Sequence, residues 1–151
     1  MIRAGILFWH GTKLGVTMRL FYPKIILLTL LVANIVTSIL HYVDNVVFFR
    51  HYPEPTWLSP HLVDLAWFVM TPFGFAGYWF FRRGRRPAAF ACLYLYAAMG
   101  LLVLGHYLIA PPWKVSLKIN LFIMAEAIAA LLLGLFTAWL QFQREGTRPS
   151  F

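Results

Sequence analysis

Acidic residues are scarce in this chain of 151 residues, which has five Asp and Glu against 13 Lys and Arg. Charged residues make up 12% of the chain and hydrophobic residues make up 61%, which is too little charge and too much apolar surface for a typical soluble domain. The chain has one cysteine, Cys92, and a single cysteine excludes an internal disulfide framework. The composition therefore indicates an integral membrane protein.

Four apolar runs are each long enough to cross a hydrocarbon layer, which takes about 20 residues of α-helix. They cover residues 25–43, 62–81, 88–109 and 119–141. The connections between them are too short to form a separate soluble domain. We therefore predict an all-α, polytopic membrane protein, with residues 1–151 forming a single integral membrane domain built on a four-transmembrane-helix bundle.

The start of the chain has two readings. From Met18 onwards a short basic region leads into the first apolar run, which is a usual beginning for a membrane protein. Residues 1–17 are therefore a candidate start-site extension. The apolar run is long and lacks an A-x-A cleavage site, so we favour a retained helix over a cleaved signal peptide.

The basic residues fall mainly on one side of the predicted bundle. Ten of the 13 precede the first helix, lie in the "RRGRR" turn at residues 82–86, or follow the fourth helix. Only Arg50, Lys114 and Lys118 fall on the other side. The positive-inside rule then predicts that both termini are cytoplasmic. Because topology accounts for the positive charge, we expect no nucleic-acid partner.

Small residues predict where the helices pack closely, since such residues let helix backbones approach each other in lipid. The third predicted helix has Ala91, Ala98 and Gly105 at seven-residue spacing. The fourth has Ala130, Gly134 and Ala138 at four-residue spacing. We expect both sets to form contacts within the bundle.

Polar residues inside the predicted spans follow a helical pattern. In the first helix they occur at offsets of 0, 3, 4, 7, 10 and 11, which trace one face. These residues are Asn34, Thr37, Ser38, His41, Asp44 and Asn45. The other three helices add His61, Asp64, His106, Asn120 and Glu126. Under the deduced topology all of these groups lie in the outer half of the bundle, so they predict a polar pocket there.

Roles in this pocket follow from side-chain chemistry. The residues expected to carry acid/base chemistry are His41, Asp44, Asp64 and Glu126. Those expected to bind a ligand are Asn34, Ser38, His61, His106 and Asn120. A carboxylate near the middle of a membrane costs about 3 kcal/mol, so Glu126 should be protonated or paired with a histidine or tyrosine.

Several uses of such a pocket remain open. A dry cavity with a proton donor and acceptor suits acid/base chemistry on a lipid-soluble substrate, while the same cavity can simply bind a hydroxylated or cationic ligand. Histidines with carboxylates can also bind a divalent metal, and His-x-x-Asp on a helix places both ligands on one side. The non-functional alternative is that Asp44 and Asp64 hydrogen-bond near the water interface and that His51 and His61 are solvated loop residues.

The order of features resembles the EXPERA group, four-helix membrane proteins that include the sigma-two receptor and the emopamil-binding sterol isomerase. The similar features are a His and an Asp in the first helix, an outer loop ending in "PTWLSP", an early acid in the second helix, and "TPFGFAGYWFFRRGRRP". The resemblance covers about residues 35–142. It implies a cavity reached from the bilayer, ligands of sterol or cationic amphiphile type, and binding roles for Asp44 and Asp64.

We therefore expect a membrane protein that binds a lipid-like, sterol or isoprenoid ligand, with isomerase-type proton transfer as its candidate chemistry. One alternative is a small accessory subunit of a larger membrane complex that ligates haem or a pigment through histidine. A second alternative is a metal-dependent membrane enzyme. The expected partners are membrane lipids, a lipid-like small molecule, and other membrane subunits or a second copy of the chain. The sequence names no cofactor.

Overall fold

The computed structural model describes residues 22–143 in full, together with the helical backbone of residues 5–21 and 144–145. Within these residues every regular element is a helix, which confirms the all-α prediction. The α-helices are α1 Gly5–Val47, α2 Pro60–Arg82, α3 Arg86–Leu101, α4 His106–Ile109 and α5 Leu117–Glu145. Short 3-10 helices occupy Phe49–His51, Leu102–Gly105 and Pro112–Lys114. Residues 1–4 lie outside the described residues and 5–17 are described as backbone alone, so the start-site extension stays a prediction.

Three stretches of the described chain are long and apolar enough to cross a membrane. They are Tyr22–Val47, Arg86–Ile109 and Leu117–Gln143, with mean hydropathies of 2.1, 2.0 and 2.2. The chain thus has the architecture of an α-helical membrane protein. Helix α2 has 23 residues but is not among these stretches, and it contains Asp64 and Pro72.

The four long helices pack in a ring. Helix α1 contacts α2 and α5, and α3 contacts the same two helices from the opposite side. The main core lies between them and consists of aliphatic, alanine and aromatic side chains, including Leu27, Leu31, Phe81, Ala89, Leu93, Ala97 and Leu133. Residues 48–59 connect the end of α1 to the start of α2. We call this end of the bundle the loop end.

Glycines bring α2 and α3 into close contact. A Cβ atom at Gly77 would lie 2.8 Å from Leu93 Cγ and 3.2 Å from the Leu93 backbone nitrogen. A Cβ at Gly74 would lie 2.9 Å from the Tyr96 ring. Neither position has room for a side chain unless the neighbouring helix moves, so these two glycines fix the distance between α2 and α3.

The small-residue contact between α3 and α5 is partly as predicted. Ala130 and Gly134 of α5 do pack closely, since they face Gly100 and Ala97 of α3. The set predicted for α3 is wrong: Ala91 and Ala98 are exposed, and nothing lies within 4 Å of a Cβ at Gly105. Small residues occur on more than one face of α3, so their spacing alone does not show which face meets a neighbour.

The connection from α1 to α2 folds back onto the bundle. Tyr52 is buried there and packs against the helical segments on either side of the Pro111–Ser116 turn. Ser59 then caps α2, with its Oγ accepting a hydrogen bond from the Leu62 N–H at 3.4 Å, and Pro60 occupies the first turn, where a missing N–H has no cost. The cap fixes where the second helix begins.

Candidate ligand cavity

A cavity of about 530 Å³ lies between α1, α2 and the stretch from α3 to α4, and part of the α1–α2 connection lines it at the loop end. This volume is within the range of about 300–1,000 Å³ that is usual for small-molecule sites. Most of the wall is apolar. The polar part comes mainly from one face of α1, where Asn34, Ser38, His41 and Asn45 are all buried.

Two buried ionisable groups in this wall form a pair. Nδ1 of His41 on α1 lies 2.6 Å from Oε2 of Glu126 on α5, and the two side chains are 6% and 8% exposed. A buried carboxylate needs such a partner because an isolated charge in an apolar interior is costly. The sequence predicts a histidine or tyrosine partner for Glu126, and the structure supplies His41.

Three rings meet next to this pair. The centroids of His41, Tyr52 and His106 lie 5.4–5.5 Å from one another. His106 Nδ1 donates a hydrogen bond to the backbone carbonyl of Pro53 at 3.1 Å and lies 3.6 Å from Oε1 of Glu54. The cluster therefore ties the α1–α2 connection to both α1 and the start of α4.

Asp44 faces away from the cavity, although it follows His41 by one turn. Its carboxylate accepts hydrogen bonds from the Tyr52 hydroxyl and from Lys118 Nζ, each at 2.8 Å. Lys118 is half-exposed and also lies over the Phe48 ring at 3.6 Å. Asp44 thus holds the loop end together and does not line the cavity. Burial, and next the hydrogen bond to Asp44, raises the pKa of the Tyr52 hydroxyl above its ordinary value.

Asp64 also lies outside the cavity wall. It accepts a hydrogen bond from the Tyr42 hydroxyl at 2.5 Å, which joins α1 to α2. One turn further along, Trp67 Nε1 donates to Ser38 Oγ at 3.1 Å, and the Trp67 ring stacks on Tyr42 at 4.9 Å. Asp64 therefore links α2 to α1 through a hydrogen bond.

Of the nine site residues predicted from sequence, five line the cavity and four do not. The five are Asn34, Ser38, His41, His106 and Glu126. The other four are Asp44, Asp64, His61 and Asn120. His61 is exposed at the start of α2. Asn120 accepts from the Tyr107 hydroxyl at 2.8 Å and donates to the Pro112 and Val115 carbonyls, so it orders the turn before α5. Five of the nine predicted residues thus share one pocket, and the other four lie outside it.

Sequence reasoning missed Glu54 as a site residue. Glu54 lines the cavity and accepts a hydrogen bond from Asn45 Nδ2 at 2.6 Å. Its signal in the sequence is slight: it is one of five acids and stands between two prolines in "PEP". Only the folding back of the loop brings it over the α1 polar face.

Three polar atoms in the wall are buried and make no hydrogen bond. They are Asn34 Oδ1, His41 Nε2 and Asn45 Oδ1. More than nine-tenths of buried polar groups in proteins have a partner, so three exceptions around one cavity require an explanation. The physical explanations are bound water and a bound ligand with polar groups of its own.

The chemistry that these residues support is proton exchange and hydrogen bonding. The His41–Glu126 pair places an imidazole nitrogen and a buried carboxylate oxygen within hydrogen-bond distance, which is an arrangement that general acid/base catalysis uses. No three His, Cys, Asp or Glu side chains are grouped so as to hold a metal ion in the described part of the chain. Comparison with protein-family models, with curated proteins and with solved structures finds no match to this chain.

Proposed function

We propose that this protein spans the membrane four times and binds a lipid-like ligand, of sterol or isoprenoid type, in the cavity between α1, α2 and α3. The observation that carries the proposal is the set of unpartnered buried polar atoms around a mostly apolar cavity of about 530 Å³. A ligand with an apolar body and polar substituents would fill the volume and satisfy those atoms. The stretches Tyr22–Val47, Arg86–Ile109 and Leu117–Gln143 support a membrane location, and α2 would be the fourth span.

The same site supports acid/base chemistry of the isomerase type. Proton transfer to and from an apolar substrate needs a donor and an acceptor that are shielded from water, and the buried His41–Glu126 pair meets that need. We propose that these two residues would exchange the proton. Asp44 and Asp64 are left out of this role because their carboxylates are engaged by Tyr52, Lys118 and Tyr42.

In this proposal the loop end faces the outside and both termini are cytoplasmic. The RRGRR turn at the opposite end of the bundle, with Arg82, Arg83 and Arg85 exposed, supports this orientation through the positive-inside rule. Fluorescent protein fused to the C-terminus should fluoresce, and alkaline phosphatase fused there should be inactive. The reverse pattern would overturn the orientation and leave ligand binding to be judged separately.

Purification tests the binding function. The chain should be extracted from its own membrane in mild detergent and analysed by native mass spectrometry, with extraction and identification of every bound small molecule. We expect one lipid-like molecule per chain. A protein that retains none, and that takes up no sterol or isoprenoid when these are added, would overturn the proposal. A visible absorption band, a bound metal or a stoichiometric protein partner would support the accessory-subunit or metal-enzyme alternatives in its place.

A further inference from the structure

The cavity extends along α1 and α2. Its α1 wall runs from Asn34 to Asn45, which is about 16 Å along the helix. The α2 wall runs in the opposite direction, from Leu62 to Thr71. One end of the cavity therefore lies at the loop end and the other lies deeper in the bundle.

The loop end of the cavity carries two buried hydrogen-bonding atoms that have no partner. Asn45 must direct Nδ2 towards the Glu54 carboxylate, which can only accept, and this leaves its Oδ1 buried without a donor. His41 has Nδ1 engaged by Glu126, while its Nε2 has no partner. In the described residues the wall contains two carboxylates and no Lys or Arg. This end therefore suits a hydroxyl group and disfavours an anionic head group.

The deep end carries a second polar position. Asn34 is 1% exposed, and its Oδ1 has no hydrogen-bond partner. Gly100 lies against it, so that a Cβ there would be 3.5 Å from Asn34 Oδ1 and 2.8 Å from Ala130 Cβ. Thr71 lines the wall nearby and donates its hydroxyl hydrogen to the Trp67 carbonyl at 2.7 Å, which leaves the oxygen able to accept. Most of the remaining wall is apolar.

The geometry points to a ligand with a hydrogen-bonding group at each end of an apolar body, such as a long-chain diol or an elongated ring system with a hydroxyl at either end. An amphiphile with a single head group would satisfy only the loop end and leave Asn34 Oδ1 unpaired. This inference rests on the proposed function and adds to it the number and position of the polar groups. Asn34 acts as a specificity-determining residue at the deep end.

Two simple probes distinguish a ligand with a polar group at each end from a ligand with a single head group. Dodecanol and the dodecane diol with a hydroxyl at each end should be titrated into the full-length protein in lipid nanodiscs, followed by fluorescence of Trp57 and Trp67, which line the wall. The second hydroxyl makes the diol less hydrophobic, so tighter binding of the diol has to come from a second polar contact. We expect the diol to bind about 3- to 10-fold more tightly, which corresponds to one additional hydrogen bond.

The variant Asn34→Leu tests whether Asn34 binds the second hydroxyl group of the diol. It should remove the preference for the diol, so that the two probes bind about equally tightly. Thr137→Val is the matched control, because Thr137 is a fully buried polar residue of α5 that does not line the cavity. Equal binding of both probes by the wild type, with no effect of Asn34→Leu, would overturn the two-ended ligand and keep a lipid-like ligand. Failure of both probes and of added sterols and isoprenoids would overturn the proposed function and this inference with it.

Discussion

Nδ1 of His41 lies 2.6 Å from Oε2 of Glu126, and this contact joins α1 to α5 across 85 residues of sequence. Both side chains are more than nine-tenths buried. The pair occupies the wall of the cavity, so the same two groups hold two helices together and face the proposed ligand. Stability and binding are thus coupled at this position, and variants must be judged by both measurements.

Removing one member of the pair should destabilise the protein more than removing both. His41→Leu leaves the Glu126 carboxylate buried without a partner, for which we expect a loss of about 3–5 kcal/mol in the free energy of unfolding. The double variant His41→Leu/Glu126→Leu has no uncompensated charge and should recover most of that loss. Denaturant unfolding in detergent, followed by circular dichroism, measures both. If the double variant is as unstable as the sum of the two single variants, the residues do not act as a pair.

Tyr52 should make stability depend on pH above the ordinary tyrosine range. Its pKa is raised above 10.0 in the folded protein, chiefly by burial and next by the hydrogen bond to Asp44. Below pH 10 both the folded and the unfolded chain keep the phenolic proton; above it the unfolded chain loses the proton first, so stability falls as pH rises. The Tyr52→Phe variant should be less stable by about 1.5–3 kcal/mol at pH 8, because a hydrogen bond to a charged group is lost.

The difference between the wild type and Tyr52→Phe should then shrink as the pH is raised beyond 10. Thermal unfolding between about pH 8 and pH 11 measures this difference, since the lysines that titrate in the same range are common to both proteins. Tyr22→Phe serves as the control because Tyr22 is exposed. A stability difference that stays constant across this pH range would contradict the raised pKa of Tyr52.

Periodicity was sufficient to find the polar face of α1. Asn34, Ser38, His41 and Asn45 recur at helical spacing in an otherwise apolar run, and any packed neighbour buries them together. The depth of Glu126 within its run was also enough to require a partner, because a lone carboxylate in an apolar span is costly. These parts of the site follow from local sequence and from the cost of burying polar groups.

The contacts of the individual acidic residues could not be predicted from periodicity in the same way. His41 and Asp44 are one turn apart, yet a three-residue step turns a helix by about 300°, so the two side chains diverge by about 60°. His41 therefore meets α5, whereas Asp44 meets Tyr52 and Lys118. Glu54 reaches the cavity only because the loop folds back, which depends on contacts far apart in sequence. Periodicity gives the face of a helix but not the neighbour on that face.

The close α2–α3 contact predicts that replacing glycine by alanine lowers stability at one position and not at another. Gly77→Ala would place a Cβ 2.8 Å from Leu93 Cγ, with the Leu93 backbone also close, so we expect a loss of about 1–3 kcal/mol from overpacking. Gly105→Ala is the matched control, since nothing lies within 4 Å of its Cβ position and its φ of −58° suits any residue. Thermal unfolding compares the two. Equal stability of both variants would show that α2 and α3 do not approach as closely as the structure has them.

Filling the cavity should abolish ligand retention without unfolding the protein. Ala66 on α2 is exposed but lines the wall, so Ala66→Phe would add a ring at the cavity. The adjacent Leu65 is 59% exposed and does not line the cavity, so Leu65→Phe adds the same ring on the outer surface of the same helix. Because overpacking a filled site costs about 1–3 kcal/mol, we expect Ala66→Phe to bind a lipid-like ligand about tenfold less tightly or worse, and Leu65→Phe to bind as the wild type does. Native mass spectrometry of the three proteins, with circular dichroism to show that each is folded, makes the comparison. Equal retention by a folded Ala66→Phe variant would mean that the ligand binds elsewhere, most plainly on the lipid-facing surface.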